Sequence, residues 1–493
     1  MTRTEAVVLA LYYLTLGVLA VYSVHRLYLV RLRRRSPAPA RTLGSEWPSI
    51  TIQLPMYNEP NVAARLIDAV ARLDYPGELA IQVLDDSDDA TMSIAAERVA
   101  HWARTKRITH IRRDSREGYK AGALAHGMRQ SVSALFAVFD ADFLPPHDVL
   151  TRMVPHFGDS RVGMVQARWG HLNREQSLLT RVQAIFLDAH FAVESAARNF
   201  GGRFFNFNGT AGIWRREAIE DAGGWSSSTL TEDLDLSYRA QLAGWEFVFV
   251  PDVEVPAELP STLSGFQEQQ HRWAKGSIQT ARKLLPAIAR SRFPLAVKSE
   301  AFFHLTNNSA YLLTLVLALL MVPAMIVRQR YGLHWMLIVD ALLFAASTGS
   351  VLRFYVEGQR WAGRRKPTRC ELLAVLPVGV GMSIRNAAAV LEGLVERGGH
   401  FRRTPKEGVW STGAPATAIP RAGRGARPPA ALQKPRIPWG ELVLALFFAA
   451  AIGVLSTAGQ WLTIPFVCLF LSGYSYVAYF ALAERLNHRQ SDT

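Results

Sequence analysis

From Ala6 to Val24 the chain carries no charged side chain, and such a run matches the ~20 apolar residues an α-helix needs to cross a bilayer. The basic cluster "HRLYLVRLRRR" follows this run. A cleaved signal peptide has its positive charge ahead of the apolar stretch. The expectation is therefore a retained transmembrane helix whose C-terminal end is cytosolic. With 49% hydrophobic residues in 493, further spans are expected, and Ala301–Val327, Leu333–Leu352, Glu441–Thr457 and Leu462–Leu482 fit them. Glu371–Leu394 is apolar in part but holds Pro377, Arg385 and Asn386. If it spanned, the stretch Arg397–Arg436, nine Lys/Arg against the single acid Glu407, would lie outside, against the positive-inside rule. An interfacial or re-entrant cytosolic helix is expected instead.

The net charge of +14 raises the question of nucleic acid. Much of the excess lies beside the apolar runs, at Arg31–Arg35, Arg360–Arg369 and Arg397–Arg436. That distribution points to membrane lipids, anionic ones above all, and not to nucleic acid. Two cysteines, Cys370 and Cys468, imply neither a disulfide framework nor a zinc site. The chain divides into 1–47 (first span and basic linker), 48–290 (a soluble domain), 291–355 (two spans), 356–438 (interfacial helix and a basic, low-complexity linker) and 439–493 (two spans).

Within the soluble segment, "SITIQLP", "LAIQVLDDS" and "ALFAVFDAD" are short β-branched or aromatic runs alternating with helical patterns. They predict βαβ units around a mostly parallel sheet, with polar residues at the strand ends where ligands gather. Asp85 and Asp86 end one strand; strand-end acids are as often simple turn residues as ligands for a nucleobase or ribose. Asp140 and Asp142, two apart after "LFAVF", put two negative charges at the end of a buried strand, an arrangement suited to a divalent cation on a diphosphate. Glu232 and Asp233 stand at a predicted helix start behind Thr231, which suits either an N-cap with dipole-stabilising acids or a general base. Lys120 lies in a Gly-flanked turn able to approach phosphate. Arg272 and Trp273, in "QQHRW", suit bidentate phosphate binding and sugar stacking, or anchoring at a membrane interface.

The ordered motifs "LDDSDD", "YKAGAL", "FDADFLP", "NGTAGIWRR", "TEDLDL" and "QQHRW" resemble those of family 2 membrane glycosyltransferases, the group of cellulose, hyaluronan and mannan synthases. "VQARWGHLN" and "ELPSTLSGFQEQQHRW" are similar to the plant cellulose synthase-like A and C families, which make mannan, glucomannan or β-glucan backbones. The resemblance implies an α/β GT-A, Rossmann-like cytosolic domain joined to an α-helical transmembrane region with interfacial helices. It implies that Asp85 and Asp86 bind the nucleoside, that Asp140 holds the ribose side and Asp142 the metal, Mg2+ or Mn2+, and that Lys120, Gln269 and Arg272 serve the donor. Asp233 matches the catalytic base, with Glu232 beside it. Trp273, Asn208, Gly209 and Thr210 fall at the acceptor pocket. Phe401, Thr404 and Lys406 match a gating loop, in which Arg403 stands where the family has Val.

The implied activity is inverting, processive transfer of glucose, mannose or both from UDP-glucose or GDP-mannose to a growing β-linked glycan that is extruded. Transfer of one sugar to a membrane lipid acceptor uses the same donor site and is the alternative. The expected setting is a plasma or bacterial inner membrane, with the N-terminus outside and the catalytic domain in the cytosol.

Overall fold

The computed structural model describes residues 1–38, 44–399, 406–408, 436–457 and 459–491. Phe401 and Thr404 of the expected gating loop, and the low-complexity linker, lie outside these residues.

Seven strands form one mixed sheet: β1 (Ile50–Met56), β2 (Leu79–Asp85), β3 (Ile108–Arg112), β4 (Leu135–Val138), β5 (Val162–His171), β6 (Gly212–Arg215) and β7 (Glu246–Ala257), in the order β3-β2-β1-β4-β6-β5-β7. The β-branched runs read from the sequence are β1, β2 and β4. They pair in parallel, Ile52 opposite both Ile81 and Ala137. β4 and the core of β1 are buried throughout, as expected of strands covered on both faces. The short strand β6 runs antiparallel to β4 and β5, so the sheet is less uniformly parallel than expected. Chain order reverses between β1 and β4, and a crevice opens there at the carboxyl ends of the strands, the usual ligand position in such sheets.

Five helices among the described residues are long and apolar enough to cross a membrane: Arg3–Arg35, Ser309–Arg330, Met336–Trp361, Trp439–Thr457 and the Ile464–Asn487 part of the last helix. The first, 33 residues long, extends about 50 Å, well beyond a bilayer core. Its basic end reaches the soluble domain, where Arg33 lies over the Phe200 ring at 4.8 Å.

One expected element differs from the sequence reading. The run Ala301–Val327 is not one helix: Leu295–Thr306 ends at Asn307 and a new helix starts at Ser309. Arg369–Gly381 and Ser383–Val395, the segment expected to be an interfacial or re-entrant helix, meet at 47° beside Met382, the geometry of a broken span or a re-entrant loop.

Charged side chains tie the membrane helices to the domain. The buried Asp188 carboxylate accepts from Arg174 (2.8 Å), Gln359 (2.9 Å) and the His171 ring (3.0 Å), which joins the end of Met336–Trp361 to β5. Lys275 in turn meets Glu392 at 2.9 Å.

Candidate active site

Two cavities meet beneath the switch point. The first, about 180 Å³, is walled by the strand ends and by Asp86, Lys120, Asp140, Asp142, Glu232 and Arg272. The second, about 420 Å³, runs from it between the membrane helices. Asp233, Asn208, Gln269, Trp273 and Trp169 line both. Gln269, Arg272 and Trp273 share one face of the helix Leu263–Arg290, because residues three and four apart stack on a helix surface.

Asp233 opens the helix Glu232–Leu242. Burial, and next the neighbouring Glu232 carboxylate, push its pKa up to about 7, with Lys120 pulling the other way. A carboxylate of that basicity suits proton abstraction near neutral pH. Thr231 precedes this helix but its side chain makes no cap; it packs against Gly276 of the neighbouring helix. Asp235, the next acid of the motif, is structural: it is fully buried, 2.7 Å from both Arg239 and Lys283.

Lys120 is not a free phosphate ligand. Its ammonium pairs with Asp140 and donates to the Gly209 carbonyl at 2.8 Å. Burial raises the pKa of Asp140, and Lys120 opposes that effect. Lys406 Nζ lies 2.8 Å from Asp142 Oδ2 and donates to the Glu258 carbonyl at 2.6 Å, so the end of the expected gating segment reaches the cleft.

Two of the sequence assignments change. Asp85 does not reach the cavity: it is 1% exposed and held by the His110 ring (2.9 Å) and the Ser87 N–H (2.9 Å). Burial works to raise its pKa, but the His110 and Ser87 bonds outweigh it and lower the value. Asp86 alone of the pair lines the cleft, clamped by Arg113. Thr210 is likewise buried, with Oγ1 accepting from the Asp140 N–H at 2.9 Å, and it lines neither cavity.

Sequence reasoning missed Tyr57, Glu59 and Arg116, which line the donor side. Arg116 covers the Tyr57 ring at 3.2 Å. A signal for them exists in the backbone. The three non-glycine residues with positive φ among the described residues are Asn58, Tyr119 and Ala211. They adjoin Tyr57, Lys120 and Thr210. Strained backbone held by its surroundings concentrates at functional sites.

The description Glycosyltransferase like family 2 matches residues 48–276. Those residues belong to that family. The family 2 domain carries the whole sheet and ends just past Trp273. Among curated proteins, the chain is 42% identical over 295 residues to glucomannan 4-beta-mannosyltransferase 1 of Oryza sativa subsp. japonica, covering 57% of this chain and 56% of that protein. It is 46% identical over 259 residues to probable glucomannan 4-beta-mannosyltransferase 11 of Arabidopsis thaliana, covering 51% and 58%. The match thus spans little more than half the length of these relatives. Among solved structures it is similar to the mannosyltransferase PcManGT from Pyrobaculum calidifontis in complex with GDP-Man and Mn2+, at TM-score 0.52 and 23% identity, covering 79% of this chain and 99% of that one. That likeness gives the family 2 domain its GT-A fold.

Proposed function

We propose that the protein is a membrane-embedded, inverting β-glycosyltransferase that extends a glycan by mannose, glucose or both and passes it between its membrane helices. The observation that carries this reading is the position of Asp233, at the junction of a donor-sized cleft and a larger cavity leading into the apolar helices. Transfer to a lipid needs no such continuation. The curated relatives, named as glucomannan 4-beta-mannosyltransferases, favour mannose as the transferred sugar and a β-1,4 linkage.

In this reading the nucleotide lies along β1, β2 and β4, with its base toward Tyr57 and Asp86 and its diphosphate toward Arg272, whose planar fork matches phosphate oxygens. Trp273 packs against the acceptor sugar. Asp233 removes the proton of the acceptor hydroxyl as that oxygen bonds to the anomeric carbon. The bond from that carbon to the diphosphate oxygen breaks on the opposite face, so an α-linked donor yields a β-linkage. Gln269 and Asn208 hold the acceptor at the junction.

Asp140 and Asp142 fit a divalent cation. Mg2+ is commonly held by one or two carboxylates completed by substrate phosphates, which is the donor count here: among the described residues no cluster of three or more ligands occurs. Lys406 and Lys120, now on these carboxylates, would give way to Mg2+ or Mn2+. When bound, the ion supplies charge neutralisation for the departing diphosphate. The basic segments flanking the spans support a cytosolic position for the domain, beside anionic lipid.

The test is incubation of the protein in lipid with labelled GDP-mannose or UDP-glucose and Mg2+ or Mn2+, followed by sizing and digestion with linkage-specific glycanases. Polymer cut by a β-mannanase supports the reading; label confined to lipid refutes it.

A further inference from the structure

The second cavity contains a feature that the chemistry above leaves unused. The helix Leu178–Ala189 runs into a six-residue π-helical turn, His190–Ser195, before continuing as Ala196–Phe200. Such turns are rare, re-aim the side chains that follow, and recur at functional sites. Here the turn directs His190 and Glu194 into the cavity wall. His190 Nδ1 lies 3.0 Å from Glu194 Oε2 and Nε2 lies 2.9 Å from Asn208 Oδ1. The imidazole therefore bridges a carboxylate to the loop that sets Gly209 against Asp233.

Glu194 meets its protein neighbours through one oxygen. Both His190 and Arg198 (3.6 Å) approach Oε2. Among the described residues Oε1 receives no hydrogen bond, and it is not sealed from the cavity. Burial would raise the pKa of this carboxyl, but Arg198, His190 and Arg26 hold it far below the ordinary range, so Oε1 is an anionic acceptor in the cavity wall. Asn208 and Asp233 line both cavities, whereas Glu194 and His190 line only the second. Their reach therefore lies one step behind the attacking sugar.

We propose that Glu194, steadied by His190, is a positioning residue for the acceptor: Oε1 accepts a hydrogen bond from a hydroxyl of the sugar next to the terminal one, keeping a neutral glycan in register with Asp233. This rests on the reading of the second cavity as the path of a glycan.

The experiment uses the full chain in lipid nanodiscs, labelled GDP-mannose, and β-1,4-linked mannose oligosaccharides from one to six units as acceptors. Glu194→Gln, which keeps the shape, and His190→Gln are compared with the parent protein, with thermal unfolding as a check on folding. Losing one charge-assisted hydrogen bond predicts an acceptor KM raised about tenfold for two or more units, with kcat and the donor KM moving less than about twofold. The single sugar, which does not reach Glu194, should keep its KM, and Glu194→Asp should recover part of the loss. A uniform rise in KM for mono- and oligosaccharides and donor alike, or no rise, would overturn the proposal. Parent protein that labels lipid but elongates no oligosaccharide would overturn the polymerising reading itself.

Discussion

Gly209 and Asp233 touch at the floor of the cleft: a Cβ on Gly209 would stand 3.0 Å from Asp233 Oδ2 and 3.5 Å from Lys120 Nζ. Gly209 also has φ +81°, a conformation that side chains resist. The two facts together mean that the base is set by a backbone approach only glycine permits. Gly209→Ala is expected to lower kcat by at least about tenfold, from displacement of the base, and to cost about 1–2 kcal/mol of stability from the left-handed backbone. Steady-state turnover and thermal unfolding check this; full turnover would remove the constraint from the account.

Asp233→Asn keeps the shape and hydrogen bonding of the side chain but cannot take a proton. Turnover should fall by roughly 10²–10⁴, the usual contribution of a general base. Donor affinity, measured by calorimetry, should stay within a few-fold of the parent protein.

The pH dependence follows from the same group. Its pKa is raised to about 7 by burial and by Glu232, so the proton-free form needed for catalysis is lost as pH falls through 7. The ratio kcat/KM should drop about tenfold per unit well below that value and flatten above it. Glu232→Gln removes the neighbouring charge, so the acid limb should move to lower pH. A limb near pH 4 in the parent protein would show that a different group governs the rate.

Asp85 and Asp86 separate a structural role from a binding one. Asp85→Asn should cost about 1–3 kcal/mol of stability through the weakened His110 bond with little change in donor KM. Because the Asp85 pKa is lowered in the fold, its stabilisation is present at neutral pH and is lost as pH falls below the ordinary aspartate value of about 4. Asp86→Asn should raise the donor KM with a smaller effect on unfolding. Reversed effects would return Asp85 to the nucleoside site.

The contrast between these neighbours shows where sequence reading stops. β1, β2 and β4 were legible because buried parallel strands read as continuous β-branched runs, and the acids at their ends were legible as charge beside apolar runs. Which acid faces the cleft was not, because adjacent residues at a strand end point to opposite sides and the last hydrogen-bonded position decides between them. β6, only Gly212–Arg215, looks like the end of a loop; its antiparallel pairing is tertiary. The break at Asn307–Asn308 falls in the polar cluster "HLTNNS" of an otherwise apolar run, and neither Pro nor Gly marks it. Pro286 and Pro323, the ordinary helix breakers, lie inside unbroken helices. The π turn at His190 inserts a residue without altering the apolar pattern. By contrast, Gln269, Arg272 and Trp273, assigned through the resemblance, lie on one face of a helix because of their i, i+3, i+4 spacing.

The central claim is that Asp233 works at the head of a glycan path and not beside a lipid site. Its most direct test is the size distribution of product made by the protein in nanodiscs from labelled GDP-mannose at limiting enzyme. The account predicts β-mannanase-sensitive chains that lengthen with time and disappear in Asp233→Asn. A single labelled lipid of constant mass, with no chain beyond one sugar, would contradict it.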